Sequence, residues 1–369
     1  MLKLALLIIV CILLANLYEK NSKKELKNLE YEYVSKNVFF YVCIVIILVL
    51  FSGLRIRYND TATYIDSYNN MPEDISWVIG DNPAFQVVNK ILKTLGISAN
   101  GFIMFYSLIT VSIYVWFIRK YSSDFSLSLY ILLTGGAYVF SLAAIKQCMA
   151  IAIGLLAIDA AIQKEWKKFI ICIFIAMLFH TYALMFTITP LLFFEPWTKK
   201  SYILIVMAIV AGVLFQTVLG TILSVASLMG ENYDISLFNG EGVNIFRLLV
   251  AASPVILSFV ARKFTRHEKD RVACLMMNMT TINAVIMFVS SFGTAFYLAR
   301  VANYFAIFPV IAIPYMLRYY TRNSRSLLKI IIVIGFTGFA FYAYGLNRSF
   351  DAMYERISLI KFISIFFTK

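Results

Sequence analysis

Long apolar runs constrain this chain more than any other feature. They occur at 3–18, 37–54, 101–118, 126–143, 147–163, 169–194, 201–223, 244–262, 272–292, 299–317 and 327–346, with a shorter apolar tail at 357–367. A helix needs roughly 20 apolar residues to cross hydrocarbon, and most of these runs approach that length. Backbone polar groups in hydrocarbon must be satisfied internally, so only helices and closed barrels can span. A barrel would show short alternating segments separated by turns, and such segments do not dominate here. The expectation is an all-α polytopic membrane protein of about 11–13 transmembrane or re-entrant helices. Residues 1–369 then form one integral membrane domain, interrupted by two extracytoplasmic loops at 55–100 and 224–243. The first loop holds Pro72, Trp77 and Pro83 and has room for short helices; the second carries Glu231, Asp234 and Glu241 and no basic residue. Residues 4–17 lack a small-x-small cleavage site after them and read as the first membrane helix rather than a signal peptide.

Composition excludes several function classes. With 61% apolar and 14% charged residues, and a mean hydropathy of +0.80, a soluble globule is ruled out. The net charge of +13 invites a nucleic-acid reading, but the Lys and Arg residues are spread among short loops between spans. That spread is the mark of cytoplasmic loops facing anionic lipid, so no nucleic-acid partner is expected. Cys11, Cys43, Cys148, Cys172 and Cys274 lie singly in or beside apolar runs, with no CxxC and no Cys/His cluster. They read as small apolar fillers, without a disulfide framework or a zinc site. No Gly-rich phosphate loop, DxD or HExxH motif occurs, so neither metal nor cofactor is expected and a cytosolic nucleotide-sugar donor is disfavoured.

Orientation follows from the basic loops. Lys20, Lys23, Lys24, Lys27 and Lys36 place the 19–36 loop in the cytoplasm, since Lys and Arg count and the accompanying glutamates do not. Loop 55–100 is then outside, Arg119 and Lys120 inside, the turn near 144–146 outside, and Lys164, Lys167 and Lys168 inside. A single crossing by 169–194 would put Lys199, Lys200 and the basic loop 262–271 outside, against the rule. A hairpin that enters and leaves on the cytoplasmic side, turning at His180, places every basic cluster on one face. A doubled crossing within 201–229 is the rival solution, and it leaves Lys199 and Lys200 outside.

Under either topology the charges that interrupt apolar runs collect at the outer face. Arg55, Arg57 and Asp60 close one run, Lys146 opens another, and Arg247 and Arg300 lie near the starts of two more. A cation at the bilayer centre costs at least roughly 2.5–3.5 kcal/mol, so such residues usually face a cavity. Cations at the outer leaflet suit an anionic lipid-linked substrate, with Arg able to grip phosphate by two parallel hydrogen bonds and Lys acting as a point charge. Each could instead snorkel to headgroups. His180, the sole histidine besides His267, interrupts its own apolar run and is a candidate general base, with Asp60 as the alternative or the group that orients it. Asp159, near a cytoplasmic helix end, reads as structural.

Four short motifs, in order and spacing, resemble the EpsG family of membrane polysaccharide polymerases, related in role to Wzy-type polymerases. They are Gly53-Leu54-Arg55-Ile56-Arg57-Tyr58-Asn59-Asp60-Thr61 with Tyr64 and Tyr68; Ile145-Lys146-Gln147 with Ala150; Phe179-His180-Thr181-Tyr182-Ala183-Leu184; and Arg300 with Asn303-Tyr304-Phe305. The chain departs from the family pattern at Lys146-Gln147, where Arg-Gln is usual, and at Tyr58, where glycine is frequent. The first exchange keeps the charge and loses the fork.

The resemblance implies an enzyme of the bacterial cytoplasmic membrane that joins repeat units carried on undecaprenyl pyrophosphate into capsule or exopolysaccharide outside the cell. It implies donor and acceptor lipid-linked oligosaccharides as partners in the membrane, with a flippase and a chain-length regulator of the same pathway nearby. Catalysis would fall to His180 and Asp60, pyrophosphate binding to Arg55, Arg57, Lys146, Arg247 and Arg300, and support to Gln147, Tyr64 and Tyr304. A lipid-oligosaccharide transporter or flippase, a glycan ligase and a membrane acyltransferase are the competing readings. A transporter would want a cavity reachable from both faces, and an acyltransferase a route for its acyl donor.

Overall fold

The computed structural model describes residues 1–27, 30–35, 38–72, 81–228, 242–292, 295–347 and 349–367. Glu73, Asp74, Trp77, Glu231, Asp234 and Glu241 lie outside the described residues, as does most of the 224–243 loop.

In chain order the elements are α1 (Leu2–Lys20), β1 (Ser22–Lys27), β2 (Glu30–Ser35), α2 (Phe39–Gly53), β3 (Arg55–Arg57), α3 (Thr61–Asn69), α4 (Pro83–Thr94), α5 (Ala99–Tyr121), α6 (Phe125–Thr134), α7 (Ala137–Ala143), α8 (Ile145–Ile162) and α9 (Trp166–Phe179). A 3₁₀ arm (Thr181–Leu192) follows. Next come α10 (Lys199–Val213), α11 (Phe215–Leu228), α12 (Ile245–Val260), α13 (Arg262–Thr265), α14 (Arg271–Val289), α15 (Ala295–Ala302), α16 (Ile307–Leu317) and α17 (Arg322–Phe341). The chain ends with α18 (Phe350–Met353), β4 (Glu355–Arg356) and α19 (Leu359–Phe367). Among the described residues the fold is all-α apart from two small antiparallel strand pairs, β1 with β2 and β3 with β4.

Among the described residues five helices are long and apolar enough to cross a membrane, or up to seven if two bent pairs each count as one span. The bends are 47° between α6 and α7 and 51° at the break before α16. Three shorter apolar helices, α2, the 3₁₀ arm and α12, add to these. The α6–α7 bend falls at Gly135-Gly136, where Gly136 has φ +104°, a conformation that side chains with a Cβ rarely adopt. The polar stretch 55–100 carries the short helices α3 and α4.

Residue contacts divide the chain into two compact units. The first comprises Met1–Lys120, Phe125–Phe186 and Ala340–Lys369; the second comprises Tyr121–Asp124 and Thr187–Phe339. At the centre of the first unit is α8, buried along nearly its whole length. Ala150, Ala152, Gly154, Ala157, Ala160 and Ala161 give it a thin profile, which lets neighbours approach closely where no solvent drives helices together. In the second unit α16 is wholly buried and α14 largely so, while α17 exposes Leu327, Ile330, Ile331 and Ile334.

Each unit holds a group of paired loop charges at one end, and the first unit also pairs Met1 with Asp351 and Arg57 with Glu355 at its other end. In the first, Lys120 pairs with Asp159 at 2.5 Å, and Arg119 Nε donates to the Tyr18 hydroxyl at 2.9 Å. In the second, Arg318 pairs with Glu268 at 2.6 Å, Lys269 pairs with Glu195, and Lys329 pairs with Asp124 at 2.6 Å. Asp159, read as structural from its position, is held there by Lys120 and by Gln163.

The run 169–194 is broken at His180. There the backbone is extended (φ −162°, ψ 117°), although the His180 amide still reaches the Ala176 carbonyl at 3.0 Å. Beyond the break, β-branched Thr187, Ile188 and Thr189 are poor α-helix formers and Pro190 has no N–H to donate. The chain continues instead as the 3₁₀ arm, opened by the Ala183 amide donating to the His180 carbonyl at 2.9 Å. Phe179 lies level with the start of α8, whereas the Phe186 ring lies against Gly154, where an added Cβ would sit 2.2 Å from it. The arm therefore runs back alongside α8 in the direction of α8 itself, reversing the course of α9. From Phe179 to Phe186 a 3₁₀ rise covers about 14 Å, close to the roughly 12 Å of α-helix from Lys146 to Gly154. In the second unit, the Asn278 amide donates to the Leu192 and Phe194 carbonyls at 2.9 and 2.7 Å. Glu195 then joins Lys269 at the basic end. Within the first unit the chain thus turns back at His180.

Candidate functional site

The first unit collects several sequence-predicted residues at the end away from Lys120 and Asp159, about 20 Å along α8. Lys146 and Gln147 occupy the first turn of α8, Lys146 half-buried and Gln147 buried. Across from them, Asn82 precedes Pro83 at the start of α4 in a left-handed conformation (φ 58°, ψ 60°). With its carboxamide oriented so that both ends meet complementary partners, its nitrogen donates to the Phe179 carbonyl at 3.0 Å and its oxygen accepts from Lys146 Nζ at 3.2 Å. The side chain of His180, next in the chain, is half-buried and its ring lies 5.5 Å from that of Tyr182.

Asp60 and Tyr64 reach this neighbourhood from α3. Asp60 is half-buried at the helix start, and its carbonyl accepts from the Tyr64 amide at 3.0 Å. The Tyr64 ring meets Phe85 of α4 edge-on at 5.9 Å, and Phe85 packs on Tyr106 of α5 at 5.2 Å. Buried Asn89 accepts from the Tyr106 hydroxyl at 2.8 Å. Lys93 caps the far end of α3 by donating to the Tyr68, Asn69 and Met71 carbonyls at 3.1, 2.7 and 2.7 Å. The two short helices thus form a braced platform beside the His180 tip.

Arg55 requires a correction to its expected role. It is 1% exposed, and a fully enclosed guanidinium is not presented to a substrate. Its Nε donates to Thr61 Oγ1 at 3.1 Å, and Nη1 donates to the Ser52 carbonyl, to Ser52 Oγ at 3.1 Å and to Ser107 Oγ at 3.0 Å. Thr61 Oγ1 in turn donates to the Tyr58 carbonyl at 2.7 Å and lies 3.2 Å from the Leu142 carbonyl. Arg55 therefore ties the end of α2 to α5 and to the turn that carries Asp60. Asn59 in that turn has φ 43°, a left-handed geometry that asparagine tolerates better than most residues.

Arg57 is exposed and pairs with Glu355 at 3.2 Å. Strand β4 runs beside β3, and the Ile357 amide donates to the Leu54 carbonyl at 3.0 Å. Tyr354 stacks on Phe51 at 4.6 Å, so the C-terminal strap is part of the support for the 51–61 turn.

The remaining predicted residues lie in the second unit. Arg247 is exposed in the first turn of α12, and Arg300 is half-buried in the last turn of α15. The Val243 amide donates to the Ser290 carbonyl at 3.2 Å, which puts the start of α12 at the end of α14 opposite Lys269. Asn283 donates to the Ala302 carbonyl at 2.8 Å. Both arginines thus lie toward the end of this unit away from its basic loops. Tyr304 is 0% exposed, so its supporting role is to fill the core of this unit. Among the described residues no three His, Cys, Asp or Glu side chains gather to hold a metal ion.

Sequence reading passed over Asn82, Ser107, Phe85 and Glu355. Asn82-Pro83 carries a recognisable turn and helix-start signal; nothing in the sequence marks the other three.

Fold and site together define a multi-pass α-helical membrane protein. In its first unit a helix breaks at His180 beside Asn82 and Lys146, at the end away from Lys120 and Asp159, with Asp60 at the start of the neighbouring α3. The model of the EpsG family matches residues 38–358, and the chain belongs to that family. The matched region extends from α2 to the strap that braces Arg55 and Arg57. Comparison with curated proteins and with solved structures produced no match. Family membership points to a polysaccharide-polymerase-like function.

Proposed function

We propose that this protein polymerises undecaprenyl-pyrophosphate-linked oligosaccharide repeat units into capsular polysaccharide or exopolysaccharide at the outer face of the bacterial cytoplasmic membrane. The observation that carries the reading is the placement of His180. A helix is broken there beside Lys146, with Asp60 and Tyr64 on the adjoining platform and the cytoplasmic-type charges at the unit's other end.

The reaction is a glycosyl transfer between two lipid-linked chains. A sugar hydroxyl of the acceptor forms a C–O bond to the anomeric carbon of the donor, and the bond from that carbon to the pyrophosphate oxygen breaks. The electron pair leaves with the pyrophosphate, and the hydroxyl proton passes to His180 or Asp60. Imidazole and carboxylate are both groups that can accept such a proton as a general base. Negative charge building on the leaving group is where fixed cations lower the barrier most. Lys146 is assigned to that task in the first unit, and Arg247 and Arg300 are the second unit's own candidates for binding pyrophosphate. Arg57 is the exposed cation of the 55–61 turn, and Arg55 holds the turn in place. A flippase that supplies repeat units and a regulator of chain length fit as functional neighbours.

Glycan analysis of cells lacking the gene tests the reading. Single lipid-bound repeats in place of polymer are expected, with long chains restored by the wild-type gene and not by His180→Ala expressed to the same level. Loss of all surface repeats would favour translocation, and normal polymer from His180→Ala would remove that residue from the site.

A further inference from the structure

Asn82 meets demands that no other residue type meets together. It sits in left-handed backbone, where asparagine and glycine are tolerated best. Its side chain is buried (7% exposed), so its polar atoms need partners inside the protein. The partners are a cation and a carbonyl: Lys146 Nζ on its oxygen at 3.2 Å and the Phe179 carbonyl on its nitrogen at 3.0 Å. Only a carboxamide offers an acceptor and a donor on one short planar group. An aspartate of the same shape would turn a second acceptor toward the Phe179 carbonyl and neutralise the ammonium. The Phe179 carbonyl belongs to the peptide that leads into the extended backbone of His180, where the α-helical pattern stops. One side chain therefore spans from the lysine to the hinge that aims the histidine.

We propose that Asn82 is a positioning residue: its carboxamide holds the Lys146 ammonium and the His180 hinge in one fixed arrangement for an anionic lipid pyrophosphate. The inference rests on the function proposed above and adds a residue to its site. Asn82 touches no reacting atom and acts through Lys146 and the Phe179 carbonyl. The Pro83-initiated α4 and the Phe85 contacts with Tyr64 and Tyr106 keep Asn82 in place. The α3–α4 platform is thereby coupled to the tip of the hairpin.

The test uses two substitutions compatible with the backbone, Asn82→Gly and Asn82→Asp, each made in the wild-type and the Lys146→Met backgrounds of the full-length protein. Polymer formation is measured in membranes supplied with lipid-linked repeats, and binding of undecaprenyl pyrophosphate is measured separately in nanodiscs. Loss of a hydrogen bond to a charged group predicts a drop of about tenfold or more in both readouts for Asn82→Gly in the wild-type background. Asn82→Asp should fall at least as far. In the Lys146→Met background Asn82→Gly should weaken pyrophosphate binding little further, because the group it positions is gone. Equal losses in both backgrounds would mean a merely structural residue and would overturn the proposal, as would wild-type behaviour of Asn82→Gly. Coupled binding losses without any polymer from the wild-type protein would support the positioning role while removing the polymerase reading.

Discussion

Arg55→Lys separates two roles that the sequence alone leaves indistinguishable. If Arg55 gripped pyrophosphate, lysine would keep the charge, leave the fold intact and weaken only substrate handling. The structure instead gives the guanidinium three internal partners on different elements, Ser52, Thr61 and Ser107. The Nε contact to Thr61 and the Nη1 contacts to Ser52 and Ser107 use two separate nitrogens, and the single nitrogen of lysine cannot occupy both positions. One hydrogen bond to a charged group contributes about 1.5–3 kcal/mol, and the remaining contacts weaken as their geometry changes. A loss of about 2–4 kcal/mol is expected. In a chain of this size that lowers the melting temperature by several degrees, at roughly 2–4 °C per kcal/mol or somewhat less. Thermal unfolding of the purified protein in detergent, followed by intrinsic fluorescence, reads this directly. The Ser107→Ala variant should show a smaller shift of the same sign, because it removes one acceptor. An Arg55→Lys protein as stable as wild type but unable to bind lipid pyrophosphate would refute the clamp and return Arg55 to the substrate.

Two further outcomes test the hairpin. Gly154→Ala places a methyl group 2.2 Å from the Phe186 ring and should cost about 1–3 kcal/mol by overpacking, measured as a lower melting temperature. Phe186→Leu should recover part of that loss; full stability of Gly154→Ala alone would mean that the 3₁₀ arm does not run back along α8. Cysteines introduced singly at Ile91 and Lys199 should differ in access, with an impermeant maleimide labelling position 91 in intact cells and position 199 only after permeabilisation. Labelling of 199 from outside would defeat the hairpin and favour the doubled crossing within 201–229.

Much of the site was legible because each of its residues breaks a local rule. His180 interrupts an apolar run and proves to be where the α-helix stops; Lys146 opens a run and proves to be the first turn of a buried helix. The parity of the basic loops favours a turn at His180, and the chain does reverse there, as the contact of Phe186 with Gly154 shows. What stayed hidden concerns burial. Arg55 and Arg57 stand two residues apart in one short strand and look alike in the sequence, yet one is enclosed and the other is exposed beside Glu355. Strand alternation sends neighbouring odd positions to the same face, so periodicity would have treated them as equals. The difference comes from Ser107, which approaches Arg55 from another helix, and from the C-terminal strap.

The amino-acid order by itself determined that the chain lives in a membrane, which ends of its helices carry the basic loops, and where a helix must break. These depend on transfer free energies and local backbone preferences, which act residue by residue. Tertiary structure alone decided which cation becomes a buried clamp, that Tyr304 fills a core, and that Asn82 lies between Lys146 and the His180 hinge. Those outcomes depend on side chains that meet across tens of positions in the chain, and desolvation at such meetings follows from the packed arrangement as a whole.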